Sequence, residues 1–257
     1  MKIASWNVNS LRVRLPQVLD WVITHQPDIL ALQETKMTDE KFPRMEIESL
    51  GYSVVYSGQN TYNGVAILSK QLSREVVTDI PNLCDRQRRI LAVTIGAIRV
   101  LNLYVVNGSE VSSEKYDYKL HWLEKVTAYL SNEISKFPHY LVVGDFNIAP
   151  EDRDVHDPEL WRERILCSTP ERSALQKLLN LGFKDTFRLF EQEADSFSWW
   201  DYRMAGFRRN AGLRIDLILA TSALSSRCVS SQIDKVPRGW DRPSDHAPVI
   251  AEFSLRE

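Results

Sequence analysis

The segment from residue 52 to residue 105 contains four strand-like stretches with too little room for helices between them. The stretches cover residues 52–56, 64–69, 90–95 and 98–105. The last two flank Gly96, which predicts a tight hairpin with this glycine in the turn. A doubly wound parallel sheet needs a crossover helix between nearly all of its strands. The segment therefore excludes that fold and favours mixed sheets.

The rest of the chain alternates strand-like and helical patterns. Further strand-like segments lie at 2–7, 29–33, 140–145, 214–220 and 248–253, and apolar residues recur at helical spacing over 13–25, 115–136 and 171–181. Ser168 or Thr169 is the expected N-cap of the third helix, with Pro170 at its first position. Gly182 is expected to end that helix.

The mixture of hairpins and crossover helices predicts an α/β (α+β) protein. We expect two mixed β-sheets packed face to face, with helices on both outer faces. The chain has 257 residues, enough for one large domain or two small ones. Because no linker, low-complexity tract or internal repeat divides it, we expect a single domain over residues 1–257.

Charge and cysteine usage limit the class of protein. The formal net charge is −2, so the whole molecule is not a basic nucleic-acid binder, although this value is compatible with a local basic patch. Cys84, Cys167 and Cys228 are far apart and lack metal-ligand spacing, which favours a reducing compartment and, by default, the cytoplasm. No apolar run is long enough to span a bilayer. The first residues predict a strand rather than a signal peptide.

Arginines occur in three clusters along the chain. For any one cluster taken alone, solvated surface charge is the simpler interpretation. The clusters are Arg12 and Arg14; Arg86, Arg88 and Arg89; and Arg203, Arg208, Arg209 and Arg214.

Polar side chains lie at or near the ends of several strand-like segments. They are Asn7, Glu34, Tyr104, Asn107, Asp145, Asn147, Asp216, Asp245 and His246. Taken singly, an asparagine or aspartate there is typical of a turn, and a lone histidine is typical of a structural role. Asp216 is different, because a carboxylate inside an apolar run is unfavourable unless it is paired or metal-bound. The repeated placement therefore indicates an active site at one rim.

Acids, amides, a tyrosine and a histidine in one site suit the hydrolysis of a phosphoester. A phosphodiester is anionic, so the site must neutralise charge, position a water and stabilise the leaving oxygen. One or two carboxylates that leave waters on the cation match Mg²⁺ or Mn²⁺. Zn²⁺ is disfavoured because the chain has no Cys or His cluster.

Eight short segments resemble, in the same order, the motifs of a known family. They are WNVNSLR, DILALQETK, GYSVVYSGQ, YNGVAILSK, GDFNIAP, FSWWDYR, GLRIDLILA and PSDHAPV. Together they resemble the exonuclease III family, the bacterial branch of the apurinic/apyrimidinic (AP) endonucleases in the endonuclease/exonuclease/phosphatase superfamily. The similarity extends from Lys2 to Phe253 and implies a four-layer α/β sandwich.

The resemblance implies roles for the residues that handle metal and water. Glu34 is the expected main metal ligand, with Asn7 beside it and Asp245 as a candidate for a second metal contact. Asp145 is expected to orient or deprotonate the attacking water, and Asn147 to hold a non-bridging oxygen. The resemblance leaves open which residue is the general base and whether one or two metals act.

The resemblance also implies roles at the phosphate. Tyr104 and Asn107 are expected to contact the scissile phosphate. His246, held by Asp216, is expected to stabilise the charge that develops on phosphorus.

The segment SFSWWDYRMAGFRRNAGLRID combines aromatic and basic residues, as surfaces that bind a nucleic-acid strand do. Each of its first three rings is equally compatible with the protein core. In the family, the segment lines the pocket that receives an extruded sugar, at positions matched by Trp199, Leu213 and Ile215. Arg203 matches a position that probes the DNA. Leu213 replaces the aromatic residue of the animal relatives, although leucine also occurs in the bacterial branch.

The function implied by the resemblance is Mg²⁺-dependent DNA repair, with Mn²⁺ able to substitute. The expected partner is double-stranded DNA with abasic sites or damaged 3′ ends. The enzyme is expected to cut 5′ to an AP site and to act at 3′ ends as a 3′–5′ exonuclease and 3′-phosphatase. A monomer that does not contact a membrane is expected.

Three alternatives differ in substrate or in class. A phosphodiesterase of the same superfamily that acts on an inositol phosphate, sphingomyelin or RNA is disfavoured by the WWDYR and GLRID segments. A catalytically inactive nucleic-acid-binding scaffold is disfavoured because every site position keeps a competent residue. A 3′-end specialist with weak AP endonuclease activity is favoured if the bulky Leu166 narrows the entrance of the sugar pocket.

Overall fold

The centre of the protein consists of two six-stranded β-sheets. The computed structural model describes residues 1–83 and 85–254, so Cys84 lies outside the described residues. The strands are β1 (Lys2–Asn7), β2 (Ile29–Gln33), β3 (Ser53–Ser57), β4 (Val65–Ser69), β5 (Ser73–Val77), β6 (Ile90–Ile95), β7 (Ile98–Tyr104), β8 (Tyr140–Asp145), β9 (Phe183–Asp185), β10 (Trp199–Trp200), β11 (Gly212–Leu213), β12 (Asp216–Thr221), β13 (Cys228–Ile233) and β14 (Val249–Phe253).

Helices connect the strands and cover the outer faces of both sheets. They are α1 (Leu11–His25), α2 (Arg44–Glu48), α3 (Glu114–Glu133), α4 (Pro158–Trp161), α5 (Thr169–Leu179) and α6 (Ser222–Ser225). No helix in the described part of the chain is long and apolar enough to cross a membrane.

The two sheets and the helices form four layers. The first sheet has the strand order β13-β14-β1-β2-β4-β3, and the second has the order β5-β6-β7-β8-β12-β9. Apolar residues on both faces of the central strands form one core between the sheets and one core under the helices on each side. In β8, for example, Leu141 and Val143 face the other sheet while Tyr140 and Val142 face the helices. The predicted sandwich of two mixed sheets with outer helices is confirmed.

The strands that the sequence analysis missed lie at the edges of the sheets or are very short. β5 and β13 consist of exposed and half-buried residues, because an edge strand lacks the two-faced apolar pattern of a central strand. The strand predicted over 214–220 is β12, which begins two residues later at Asp216 and ends at Thr221, and the separate short strand β11 ends before it at Leu213. The predicted hairpin is confirmed: Ile95 pairs with Ile98, and Gly96 has a φ of 58°.

The helix that follows residue 168 has one of its two predicted N-caps, but Pro170 is its second residue rather than its first, and its end differs from the prediction. Ser168 is the N-cap and forms a capping box with Glu171. The helix stops at Leu179, three residues before Gly182. The bounds of the two longer predicted helices agree with those of α1 and α3 to within three residues, a difference that is common at helix ends.

The facing sheets are joined by a buried polar bridge near one end. The Asn102 amide of β7 donates at 2.9 Å to the carbonyl oxygens of both Leu32 and Ala66 in the opposite sheet. Gln33 of β2 donates to Asn102 Oδ1 at 2.8 Å and to Ser5 Oγ at 3.0 Å. All of these side chains are buried. The bridge fixes how one sheet lies on the other, because hydrogen bonds have a direction that apolar contacts lack.

The strand pairing collects the polar strand ends at this same rim. β1 is parallel to β2, and β7 is parallel to β8, so their carboxyl ends point in the same direction. Asp145, at the end of β8, is paired with Tyr104 on one side and with Asp216 on the other. The residue before it must be glycine, because a Cβ on Gly144 would lie 1.9 Å from the Leu103 carbonyl oxygen.

Replacing Asn102 with alanine is expected to destabilise the protein. The carbonyl oxygens of Leu32 and Ala66 and the Gln33 amide lose a buried partner, and each unsatisfied buried group costs about 1–3 kcal/mol. Urea denaturation measures the change in the free energy of unfolding. Asn132→Ala, on an exposed turn of α3, is the matched control and should change stability by less than about 0.5 kcal/mol. Equal stabilities for the two variants would contradict a bridging role for Asn102.

Candidate active site

Two carboxylates and an imidazole from both sheets meet at the rim. A carboxylate oxygen of Glu34, one of Asp145 and a ring nitrogen of His246 lie within 4.8 Å of one another. Glu34 follows β2, Asp145 ends β8 and His246 precedes β14. Glu34 has a φ of 54°, a left-handed conformation that is unfavourable for a residue with a Cβ. Such a conformation persists where the surrounding structure fixes it, as it often does at functional sites.

Asn7 connects the acids of the two sheets. Its Nδ2 donates at 2.9 Å to both Glu34 Oε1 and Asp145 Oδ2. Its Oδ1 accepts from the backbone N–H of Asn9 at 3.0 Å. The Asn7 amide therefore sets the spacing between the two carboxylates.

Asp145 is a buried acid that accepts several hydrogen bonds. Its Oδ1 accepts from the Asn147 backbone N–H at 2.9 Å, and its Oδ2 lies 3.8 Å from His246 Nε2. Burial raises the pKa of Asp145 to about 7, although the positive charge of His246 opposes this shift. A cation beside the carboxylate favours its ionised form.

His246 is held by Asp216. The distance from His246 Nδ1 to Asp216 Oδ2 is 2.9 Å. Burial lowers the pKa of His246, but the carboxylates of Asp216 and Asp145 outweigh burial and raise the pKa to about 10. The imidazole is therefore protonated at neutral pH. Its Nε2 faces the acid cluster, where it can stabilise an anionic phosphate.

Asp216 is itself fixed by Ser198. The Ser198 hydroxyl donates to Asp216 Oδ2 at 2.7 Å and accepts from the backbone N–H groups of Ile215 and Asp216 at 3.1 Å. The buried carboxylate is thus fully paired, as its position in an apolar run requires.

Tyr104 presents a phenol beside Glu34. Burial, followed by the negative charge of Glu34, raises the pKa of Tyr104 well above its ordinary value. The phenol therefore keeps its proton and is a hydrogen-bond donor. The Arg89 guanidinium lies 4.5 Å from the centre of the Tyr104 ring and donates to its carbonyl oxygen at 3.2 Å.

Two amides lie next to each other on the other side of Asp145. Asn107 Nδ2 donates to Asn147 Oδ1 at 3.0 Å. Asn147 Nδ2 donates to the Val105 carbonyl at 3.0 Å and to Asp145 Oδ2 at 3.2 Å. These neutral groups can contact a phosphate without adding charge to the site.

Asp245 lies apart from the group formed by Glu34, Asp145 and His246. Its Oδ1 accepts from Asn9 Nδ2 at 2.9 Å, and its Oδ2 accepts from Trp199 Nε1 at 3.0 Å. Each oxygen therefore has a donor already. The metal contact predicted for Asp245 stays a prediction.

An apolar cluster lies beside Trp199. Leu213 and Ile215 are buried in one cluster with Leu166 and Val155, and Trp199 packs against this cluster half-buried. Leu213 pairs directly with Trp199 between β11 and β10. The three residues predicted to line a sugar pocket are thus brought together, and Leu166 is in contact with their cluster.

Two other rings of this segment belong to the core. Phe197 and Trp200 are fully buried. Arg203, predicted to probe DNA, has a side chain that is 86% exposed and paired with Asp201. It lies on the surface, where its contact with DNA remains a prediction.

Arg214 contradicts the interpretation of the arginines as surface charge. Its side chain is 1% exposed and pairs with Asp154 at 2.7 Å and with Asp185 at 2.7 Å. The guanidinium lies 4.9 Å from the centre of the Phe187 ring. Because Arg214 stands between Leu213 and Ile215, its ion pairs anchor the backbone that carries both pocket residues.

Two residues of the site were missed by the sequence analysis. Lys36 Nζ lies 2.8 Å from Glu34 Oε2, and its position two residues after the acid was an available signal. Ser198 gave no signal, because a single serine next to aromatics is typical of many surfaces and cores.

The donors at the rim fit a hard divalent cation. Glu34 supplies carboxylate oxygens, which Mg²⁺ prefers, the buried Asp145 carboxylate lies close by, and the group contains no cysteine. Asn7 Oδ1 faces the Asn9 backbone, so ligation through this oxygen requires the Asn7 amide to turn over.

Comparison with known proteins settles the family. The model of the endonuclease/exonuclease/phosphatase family matches residues 4–246, a range that includes every residue of the rim. The chain belongs to this family. Exodeoxyribonuclease III of Haemophilus influenzae is 39% identical over 98% of this chain and 100% of the relative, which places the chain in the exonuclease III branch.

Solved structures of family members have the same fold. A 3′ phosphatase named NExo from Neisseria, bound to a product DNA hairpin, is 45% identical, with a TM-score of 0.98 over 99% of this chain and 100% of that chain. An AP endonuclease from Archaeoglobus fulgidus is 39% identical, with a TM-score of 0.96 over 99% of this chain and 100% of that chain. The predicted exonuclease III resemblance is confirmed, as is the prediction of a metal-dependent DNA repair nuclease.

Asp216→Asn is expected to lower the pKa of His246, because the carboxylate that favours the imidazolium is lost. An opposite charge at this distance shifts a pKa by about one to three pH units. Titration of the histidine ring signals by NMR measures the change. Asp234→Asn, which alters the partner of His25 instead, is the control and should leave His246 unchanged. An unaltered His246 titration in Asp216→Asn would show that Asp216 does not hold the imidazolium.

Proposed function

We propose that this family member is a Mg²⁺-dependent nuclease that incises duplex DNA 5′ to abasic sites and removes nucleotides or phosphate from damaged 3′ ends. The observation that carries this proposal is the position of the acid and amide cluster beside the apolar wall of Trp199, Leu213 and Ile215. The cluster suits a phosphodiester, and the wall suits a sugar that has lost its base.

Glu34 is proposed as the main ligand of the metal, with Asn7 beside it and Asp245 as a second contact. Mg²⁺ is proposed because the donors are oxygens, and Mn²⁺ has similar preferences. When bound, the ion supplies positive charge to the scissile phosphate and to the leaving oxygen.

The remaining residues are proposed to act on water and phosphate. Asp145 orients the attacking water or accepts its proton, a role supported by a pKa of about 7. Asn147 holds a non-bridging oxygen. The Tyr104 phenol and the Asn107 amide donate to the phosphate, and the His246 imidazolium stabilises the charge that develops on phosphorus.

DNA binding is proposed to be local and electrostatic, since the net charge of the chain is −2. Arg203 contacts the DNA, and Trp199, Leu213 and Ile215 receive the extruded sugar. The proposal includes a monomer. It also includes a single domain, because rim residues come from both ends of the chain. It also includes the cytoplasm as the location, as the cysteine usage predicts.

A second candidate is a 3′-end specialist with weak AP incision. Its support is the burial of Leu166 against the pocket cluster, together with relatives named as a 3′ phosphatase and a 3′–5′ exonuclease from Neisseria, 45% and 46% identical. Two matched duplexes, one with an internal AP site and one with a 3′-phosphate, test both candidates. Hydrolysis of neither duplex in the presence of Mg²⁺ would contradict the proposed function.

Glu34→Gln is expected to lose most activity through weaker metal affinity, because the charge is removed while the shape is kept. Raising the Mg²⁺ or Mn²⁺ concentration should restore part of the rate. Rates on the AP duplex across a metal titration measure this. Glu40→Gln, at an exposed position of the same loop, is the control and should behave as wild type. A variant that binds metal normally and stays inactive would remove Glu34 from the metal site.

Asp145→Asn is expected to keep binding of DNA and metal and to lose turnover. Roles in proton transfer contribute about 10²–10⁴-fold, so kcat should fall by that factor with KM little changed. Single-turnover rates and DNA-binding titrations separate the two effects. Asp117→Asn, on the exposed face of α3, is the control. A loss smaller than about tenfold, with unaltered metal dependence, assigns the base to another residue.

Leu166→Gly is expected to raise AP incision relative to 3′-phosphate removal, because the pocket becomes wider. Glycine suits this position, where φ is 72°. The measurement is the ratio of kcat/KM on the two duplexes. Trp199→Ala should change the ratio in the opposite direction, and Leu160→Ala, exposed on α4, should not change it. An unchanged ratio in Leu166→Gly rejects the steric role of Leu166 and leaves the general AP endonuclease proposal intact.

A further inference from the structure

A fully buried ion pair lies directly beneath the rim. Lys119 of α3 and Glu171 of α5 form a salt bridge, and both side chains are 0% exposed. Lys119 occupies a position in the apolar stripe of its helix, between Tyr116 and Leu123. Neither residue belongs to the acid and amide cluster described above.

Every proton of the Lys119 ammonium is used. Besides bonding Glu171, it donates to the Asn147 carbonyl oxygen at 2.7 Å and to the Asn107 carbonyl oxygen at 3.1 Å. These are the two residues whose side-chain amides contact each other beside Asp145. Lys119 therefore ties together the backbones of two separate loops that follow β7 and β8.

Glu171 holds the other side of the site. Its Oε1 accepts from the Leu166 backbone N–H at 3.1 Å, and its Oε2 accepts from the Ser168 backbone N–H at 3.1 Å and from the Ser168 hydroxyl at 2.6 Å. Ser168 Oγ lies 2.7 Å from the hydroxyl of Tyr116. The carboxylate thus fixes the residue that packs against the pocket cluster.

A buried ion pair contributes little net stability, because desolvation of both charges offsets their attraction. What this pair does, and an apolar pair cannot do, is bond to four backbone groups at once. We propose that Lys119 and Glu171 are positioning residues that hold the two phosphate-contacting amides and the Leu166 pocket wall in one rigid unit. The inference rests on the proposed function, since it explains how residues of that site are held in position.

The test compares two double variants that leave no unpaired buried charge. Lys119→Met with Glu171→Met removes every bond of the pair at similar volume. Lys119→Met with Glu171→Gln removes the bonds to Asn107 and Asn147 but keeps an amide oxygen for the Leu166 N–H. A displacement of about 1 Å costs on the order of 10²-fold in rate. We expect kcat to fall about 10–100-fold for both variants on both duplexes, with the Mg²⁺ activation concentration unchanged.

The ratio of AP incision to 3′-phosphate removal distinguishes the role of Glu171 from the role of Lys119. It should remain that of wild type when residue 171 is glutamine and change by more than about threefold when it is methionine. A wild-type kcat in either folded double variant overturns the proposal that the pair positions the two phosphate-contacting amides. A wild-type ratio of AP incision to 3′-phosphate removal in both variants overturns the proposal that the pair positions Leu166.

Leu130→Ala is the control for a merely structural effect, because Leu130 is buried on the same helix in the core under the second sheet. It should lower the melting temperature and leave kcat unchanged. If its kcat falls as far as that of the double variants, the positioning role is rejected. Wild-type protein that cleaves neither duplex rejects the proposed function instead, and wild-type activity with unaffected double variants rejects only this inference.

Discussion

The hydrogen bonds of Gln33 and Asn102 between the two sheets are the constraint on which the active site depends. Glu34 follows Gln33 in the first sheet, and Tyr104 lies two residues after Asn102 in the second. An apolar interface alone tolerates small shifts, because its contacts have no direction. The buried polar bridge does not tolerate small shifts, because a shift leaves carbonyl and amide groups without hydrogen-bond partners. The distance between acids on different sheets, which Asn7 then spans, therefore follows from a contact outside the site.

The buried acids and the imidazolium at the rim have opposite charges that partly offset each other. Burial raises the pKa of Asp145, and Asp216, which lies opposite it on the paired strand, adds to this shift, so a nearby cation favours the ionised form. The protonated His246 supplies one positive charge from the protein itself. The remaining negative charge, with Glu34, faces the open side of the site. The same arrangement thus favours a divalent cation and provides an imidazolium for an anionic phosphate.

The loops around the rim are anchored by ion pairs from below. Arg214 fixes the strand that carries Leu213 and Ile215 through Asp154 and Asp185. Lys119 and Glu171 bond to the loops that carry Asn107, Asn147 and Leu166. Loops normally move more than the elements they connect, so a site built from loop residues needs such anchors. The apolar cluster of Leu213 and Ile215 and the loops that carry Asn107 and Asn147 are thereby tied to buried ion pairs.

The sequence by itself determined the central strands, the mixed sheets and the identity of the rim residues, because two-faced apolar runs and polar strand ends are local patterns. It did not determine the edge strands β5 and β13, whose exposed faces lack such a pattern, or the burial of Arg214. Nor did it indicate Ser198 or the Lys119–Glu171 pair as parts of the frame. Only the tertiary structure decided the roles of these buried groups, because the partners of a buried charge or hydroxyl lie far away in the chain. Asp216 is 18 residues from Ser198, and Glu171 is 52 residues from Lys119.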